Sequence, residues 1–148
     1  GRRDAVGVRR AGWTGIVLAG SFMLLTATIF LSAPRTVVGI YLDLDLAANA
    51  PVIAYAVTFL AMAGVFQVFD GIQVAAVGAL RGLKDTRVPM FMTLLAYWLI
   101  GMPVGLLCAF TLDFGPRGMW FGLVASLIVA AGLLTRRFWW RTRRTDVV

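Results

Sequence analysis

Asp70 is the one charged residue inside the longest apolar stretch of this chain, which runs from Asp45 to Arg81. On a helix rising about 1.5 Å per residue it would lie roughly 16 Å from Arg81, near the middle of a hydrocarbon layer about 30 Å thick. An ionised carboxylate at that depth costs a few kcal/mol unless it faces protein, water or a cation. Such a group either binds a cation or holds a proton, and it can alternate between the two, because burial favours the neutral acid and a nearby cation favours the carboxylate. The other reading is a structural carboxylate that caps a helix break at Gly71. Gln67 and Gln73 flank Asp70 at three-residue spacing, so all three fall within about a third of a helix circumference. Amide oxygens can join a cation shell or accept from a protonated carboxyl, although Gln in membranes also serves plain interhelical hydrogen bonding. Met62, Phe66 and Phe69 precede this cluster. Adaptable apolar side chains suit a promiscuous lipophilic pocket, and equally suit packing against neighbours or lipid.

Enzyme chemistry has little to work with. The sequence has no His, and its acidic residues are all Asp; Cys108 is its single cysteine and lies in an apolar run. General acid–base and nucleophilic sets have no players, and no cofactor or resident metal is expected.

The chain is 60% hydrophobic and 14% charged, with a mean hydropathy of +0.85. Soluble domains carry about 25% charged residues, so the solvent for most of this chain should be lipid. Four windows are long and nearly free of charge: Arg10 to Arg35, Asp45 to Arg81, Arg87 to Asp113, and Arg117 to Arg136. Each supplies the roughly 20 residues a helix needs to cross a bilayer, where backbone groups must bond internally. The expected fold is therefore all-α, a bundle with spans at about 12–33, 51–80, 89–111 and 117–135, followed by a basic tail over 136–148. The second window exceeds one crossing and should begin as an interfacial turn around Val37 to Leu46, or tilt.

The net charge of +7 is distributed by loop. Arg2, Arg3, Arg9 and Arg10 precede the first window; Arg81, Lys84 and Arg87 join the second and third; Arg136, Arg137, Arg141, Arg143 and Arg144 follow the fourth. The other two loops hold Arg35 and Arg117 beside Asp43, Asp45 and Asp113. The positive-inside rule then places both ends and the middle loop in the cytoplasm. Because the charges sit at the ends of apolar runs and not on one folded face, a nucleic-acid partner is not expected. Pro51, Pro89 and Pro116 suit the first turns of their helices, and Asp45 is a candidate N-cap. Trp120, Phe138, Trp139 and Trp140 lie near the expected interfaces. Gly101 and Gly105, around Pro103, and Gly118 and Gly122 form two GxxxG pairs that permit close helix contact. Pro103 should kink the third span and is a hinge candidate.

The run FQVFDGIQVAAVGALRGLKDTRVPM, residues 66–90, resembles the tenth helix and following loop of multidrug and toxic compound extrusion (MATE) transporters, with GALRGLKDTRVP as its most specific part. GPRGMWFGL, residues 115–123, resembles the start of their last helix, and the opening GRRDAVGVRRAGW the loop before their ninth. The resemblance implies a twelve-helix, two-lobe exporter of cationic or amphiphilic compounds driven by sodium or proton entry, with this chain as its carboxy-terminal four helices. It also implies that Asp70 matches the aspartate of the second-lobe cation site in the NorM-like branch, with a partner carboxylate on a helix outside this sequence. The expected location is a bacterial inner membrane, and the expected partners are the bilayer, organic cations or drugs, and amino-terminal helices of the same transporter. Branches of the superfamily that flip lipid-linked precursors, a self-contained four-helix transporter, and a non-transporting membrane scaffold stay open as alternatives.

Overall fold

The computed structural model describes residues 4–144. Among these, four helices are long and apolar enough to cross a membrane: Ala5–Ser32, Ala47–Gly82, Arg87–Thr111 and Pro116–Arg143. Arg2, Arg3 and the last four residues of the basic tail lie outside the described residues. The first span is α1 (Ala5–Ser32), and its start is fixed by Asp4, whose carboxylate accepts from the Gly7 N–H at 2.8 Å. The helices overrun the expected span limits because hydropathy reports where lipid ends, not where hydrogen bonding ends. The basic segment after Leu134 simply continues the last helix, α6 (Pro116–Arg144).

After α1 the chain makes a short helix, α2 (Pro34–Gly39), and turns through a 3-10 segment (Ala47–Asn49) into α3 (Ala50–Gly82). Asp45 does not cap this entry. Its backbone N–H donates to the Asp43 side chain at 3.0 Å, while Asn49 occupies the N-cap position and donates from its own amide to the Asp43 carbonyl. The local Asx turn at Asp43 outcompetes the cap. Pro51 sits in the first turn of α3, where its missing N–H costs nothing.

The third span is α-helical over α4 (Arg87–Leu95) and α5 (Met102–Leu106), with π-helical turns over Ala96–Gly101 and Leu107–Thr111. Pro103 lies between the two π turns. A proline removes one helical bond and crowds the preceding turn, and the wider winding relieves both effects.

Helix α6 is the hub. It packs against α3 on one side and the third span on the other, α1 packs against α3, and the backbones of α3 and the third span stay largely apart. The spatial order is thus first, second, fourth, third. Gly64 and Gly71 of α3 face α1, where a Cβ would meet the Ala27 and Ala19 carbonyl oxygens at 3.6 Å. The third and fourth spans approach more closely still. A Cβ on Gly122 would run into the Gly101 carbonyl and the Gly105 backbone, and one on Gly118 into Ala109. Ile16, Ala76, Leu80, Leu134 and Phe138 form a buried cluster toward the basic end of the bundle. Phe138, which its sequence position suggests for an interface, turns inward and meets Trp13 edge-on at 6.1 Å. Trp139 and Trp140 remain exposed.

Candidate functional site

Asp70 is half-buried on α3, and among the described residues its carboxylate has no hydrogen bond and no ion pair. Its neighbours on the same helix are set differently. The Gln67 amide nitrogen is sealed from solvent without a hydrogen-bond partner. Gln73 is buried, and its amide oxygen accepts from the Tyr97 hydroxyl at 3.4 Å. That bond bridges the second and third spans where their backbones are apart. Tyr97 is half-buried, lies on the first π turn, and falls within electrostatic range of Asp70.

A groove of about 870 Å³ fills the gap between these two spans. Arg81 and Thr86 line its basic end, and Thr93, Gln73 and Tyr97 line its interior among apolar side chains such as Met90. Gln73 and Tyr97 line the groove and share a hydrogen bond, whereas Asp70 and Gln67 do not line it. Carboxylate, amide and phenol groups carried at this depth can hold a proton or complete part of a cation shell. Oxygen and amide groups of this kind fit a hard cation better than a soft transition metal, and among the described residues no group of three His, Cys, Asp or Glu could hold a metal ion.

The remaining sequence candidates fall elsewhere. Phe66 meets Trp120 of α6 edge-on at 5.9 Å, within an aromatic series that includes Phe59 and Tyr55. Met62 and Phe69 are half-buried, and neither they nor Phe66 line the groove. Pro103 is exposed between the two π turns.

Two residues escape the sequence reading. Tyr97 carries one available signal, as the single tyrosine in the third apolar window. Asp85 sits in the expected loop but is buried, with the Arg137 Nε at 2.7 Å and the Arg141 Nε at 3.4 Å from one carboxylate oxygen.

The chain is similar to proteins named probable multidrug resistance protein NorM. It is 48% identical over 135 residues to the one from Deinococcus radiodurans, covering 91% of this chain and 30% of that protein. It is 45% identical over 147 residues to the one from Brucella suis, covering 99% and 31%. The chain therefore spans under a third of the length of these relatives. The crystal structure of the eukaryotic MATE transporter AtDTX14 superposes with a TM-score of 0.75 at 25% identity, over 93% of this chain and 31% of that one. The family model described as MatE matches residues 1–107 of the 148, well over half, and the chain belongs to the MatE family.

Proposed function

We propose that the full-length protein is a secondary transporter that exports cationic or amphiphilic compounds, powered by sodium or proton entry through Asp70. The observation that carries this reading is the Asp70 carboxylate, without a hydrogen bond or ion pair among the described residues and set between Gln67 and Gln73 on a membrane-length helix. A carboxylate at membrane depth without a partner is costly, which suits this group to taking up a cation or a proton. The names of the bacterial relatives, as multidrug resistance proteins, support the export role.

In this mechanism Asp70 binds the coupling ion from outside, and its change of charge biases the helices between states of different drug affinity. Gln67 and Gln73 supply neutral oxygens or donors beside it. Met62, Phe66 and Phe69 contribute apolar surface to the transported compound, and Pro103 marks the bend about which the third span moves. The protein makes and breaks no covalent bonds, and needs no cofactor beyond the ion it carries. Both ends of this segment and the Arg81–Arg87 loop face the cytoplasm of a bacterial inner membrane.

The test is Asp70→Asn in the full-length protein. Membrane insertion should be unchanged and coupled export of an organic cation such as ethidium should disappear. Undiminished export by that variant, with its dependence on sodium and pH intact, rules the mechanism out and favours a scaffold role.

A further inference from the structure

The Tyr97–Gln73 contact carries an inference about how the Asp70 site is held in register. Gln73 is 8% exposed, and its neighbour across the gap is a different helix. A buried amide oxygen needs a donor, and the structure provides it from Tyr97 at 3.4 Å. With the oxygen engaged in this way, the Gln73 amide gains an interhelical contact that orients it, one helical turn from Asp70.

The donor comes from an unusual element. Tyr97 belongs to the π turn Ala96–Gly101, which wraps the run leading into Pro103. A π turn rotates the residues it carries relative to an ideal α-helix, so the winding at Pro103 decides where the Tyr97 hydroxyl falls. The charged groups near it are few. Asp70 lies within electrostatic range of Tyr97, Arg81 lines the far end of the same groove, and among the described residues no titratable side chain of α6 lines that groove.

We propose that Tyr97 is a positioning residue for the coupling site: its hydroxyl, set by the π turn of the third span, holds Gln73 and thereby adjusts the apparent affinity of Asp70 for its coupling cation. The inference rests on the reading of Asp70 given above. It makes the third span, and not α3 alone, a determinant of ion coupling.

The test uses the full-length transporter in proteoliposomes, with ethidium as the exported probe. Sodium is titrated at fixed pH, and pH at fixed low sodium. Tyr97→Phe keeps the ring and deletes the hydroxyl. The half-saturating concentration of the coupling cation should move by roughly three- to tenfold, the range of one hydrogen bond, and by more than the maximal rate moves. Gln73→Leu should shift it comparably, and the double variant should shift it no further than the larger single one. Should Tyr97→Phe fail to accumulate, Tyr97→Leu, alone and combined with Gln73→Leu, carries the same comparison. An unchanged half-saturation in Tyr97→Phe, or shifts that simply add, overturns the proposal. Asp70→Asn run alongside separates the two readings: if it exports normally the Asp70 mechanism has failed, whereas a dead Asp70→Asn with an unaltered Tyr97→Phe rejects only the role of Tyr97.

Discussion

The Arg137 Nε lies 2.7 Å from a carboxylate oxygen of Asp85, a residue 52 positions earlier in the chain. Asp85 stands just past a helix end that the backbone finishes with care. Lys84 takes a left-handed conformation at φ 57, its N–H bonds to the Arg81 carbonyl, and the Asp85 N–H reaches back to the Leu80 carbonyl. This is the Schellman arrangement. It delivers the Asp85 carboxylate, 7% exposed, onto the last helix, where Arg141 also approaches. The pairing ties the second-to-third loop to the basic end of α6.

Breaking that tie should weaken the fold. Asp85→Asn removes the charge from a buried carboxylate and leaves Arg137, 18% exposed, without its counter-ion. A cost of about 2 kcal/mol is expected, in the range for hydrogen bonds to charged groups and below that of a fully buried pair. Thermal unfolding of the detergent-solubilised full-length protein checks it, and Arg137→Gln should cost a similar amount without adding fully to the first change.

Lys84 gives the opposite sign. A left-handed non-glycine residue carries strain of about 1 kcal/mol that glycine does not. Lys84→Gly should raise stability by up to that amount in the same assay. A loss of stability would show that the Lys84 side chain contributes more than its backbone costs.

The glycines between the third and fourth spans predict a contrast. Gly122→Ala drives a methyl into the Gly101 carbonyl and the Gly105 backbone, so the helices must separate. Gly105→Ala places its methyl 3.5 Å from the Met119 sulfur, an ordinary contact. The first should abolish accumulation of folded protein or cost more than about 2 kcal/mol. The second should change stability by less than about 1 kcal/mol. Size-exclusion profiles and melting temperatures of the two variants distinguish them.

Trp120 bridges α6 to α3 through Phe59 and Phe66, at 6.1 and 5.9 Å. Aromatic pairs of this kind contribute about 0.5–1.5 kcal/mol each. Trp120→Ala should therefore destabilise by about 1–3 kcal/mol, and Trp120→Phe should restore most of the loss in a melting experiment.

The proposed orientation can be read by chemical labelling. With Cys108 replaced by Ser in the full-length protein, a cysteine at Lys84 should react with a membrane-impermeant maleimide only in permeabilised cells. One at Tyr41, 85% exposed at the other end of the bundle, should react in intact cells. The reverse pattern would invert the topology.

Much of this molecule can be read from composition and spacing, and the reasons for the exceptions are specific. Four helices follow from four windows nearly free of charge because lipid leaves the backbone no alternative. Asp70 stands out because nothing else within its window is charged. Asp85 looks like any loop aspartate, since what buries it arrives from Arg137 and Arg141 on another helix. Tyr97 is hidden for a related reason. A helical wheel assumes a constant 100° per residue, and the π turn around Ala96–Gly101 breaks that count. Asp45 is misread as a cap because Asp43, two residues earlier, claims the local hydrogen bonds first.

The glycine contacts of the last two helices bear on how such a bundle could change shape. With Gly118 and Gly122 set backbone against backbone on the third span, and only Met119 and Ser126 reaching its Gly105 and Gly101, these helices are closely engaged. Such close contact favours their moving together as one strut. The boundary between the second and third spans is looser, with a groove and one long hydrogen bond where the other boundary has direct contact. Any relative movement of the second and third spans would therefore be taken up at the groove lined by Gln73 and Tyr97, one helical turn from Asp70, with α6 packed against both spans.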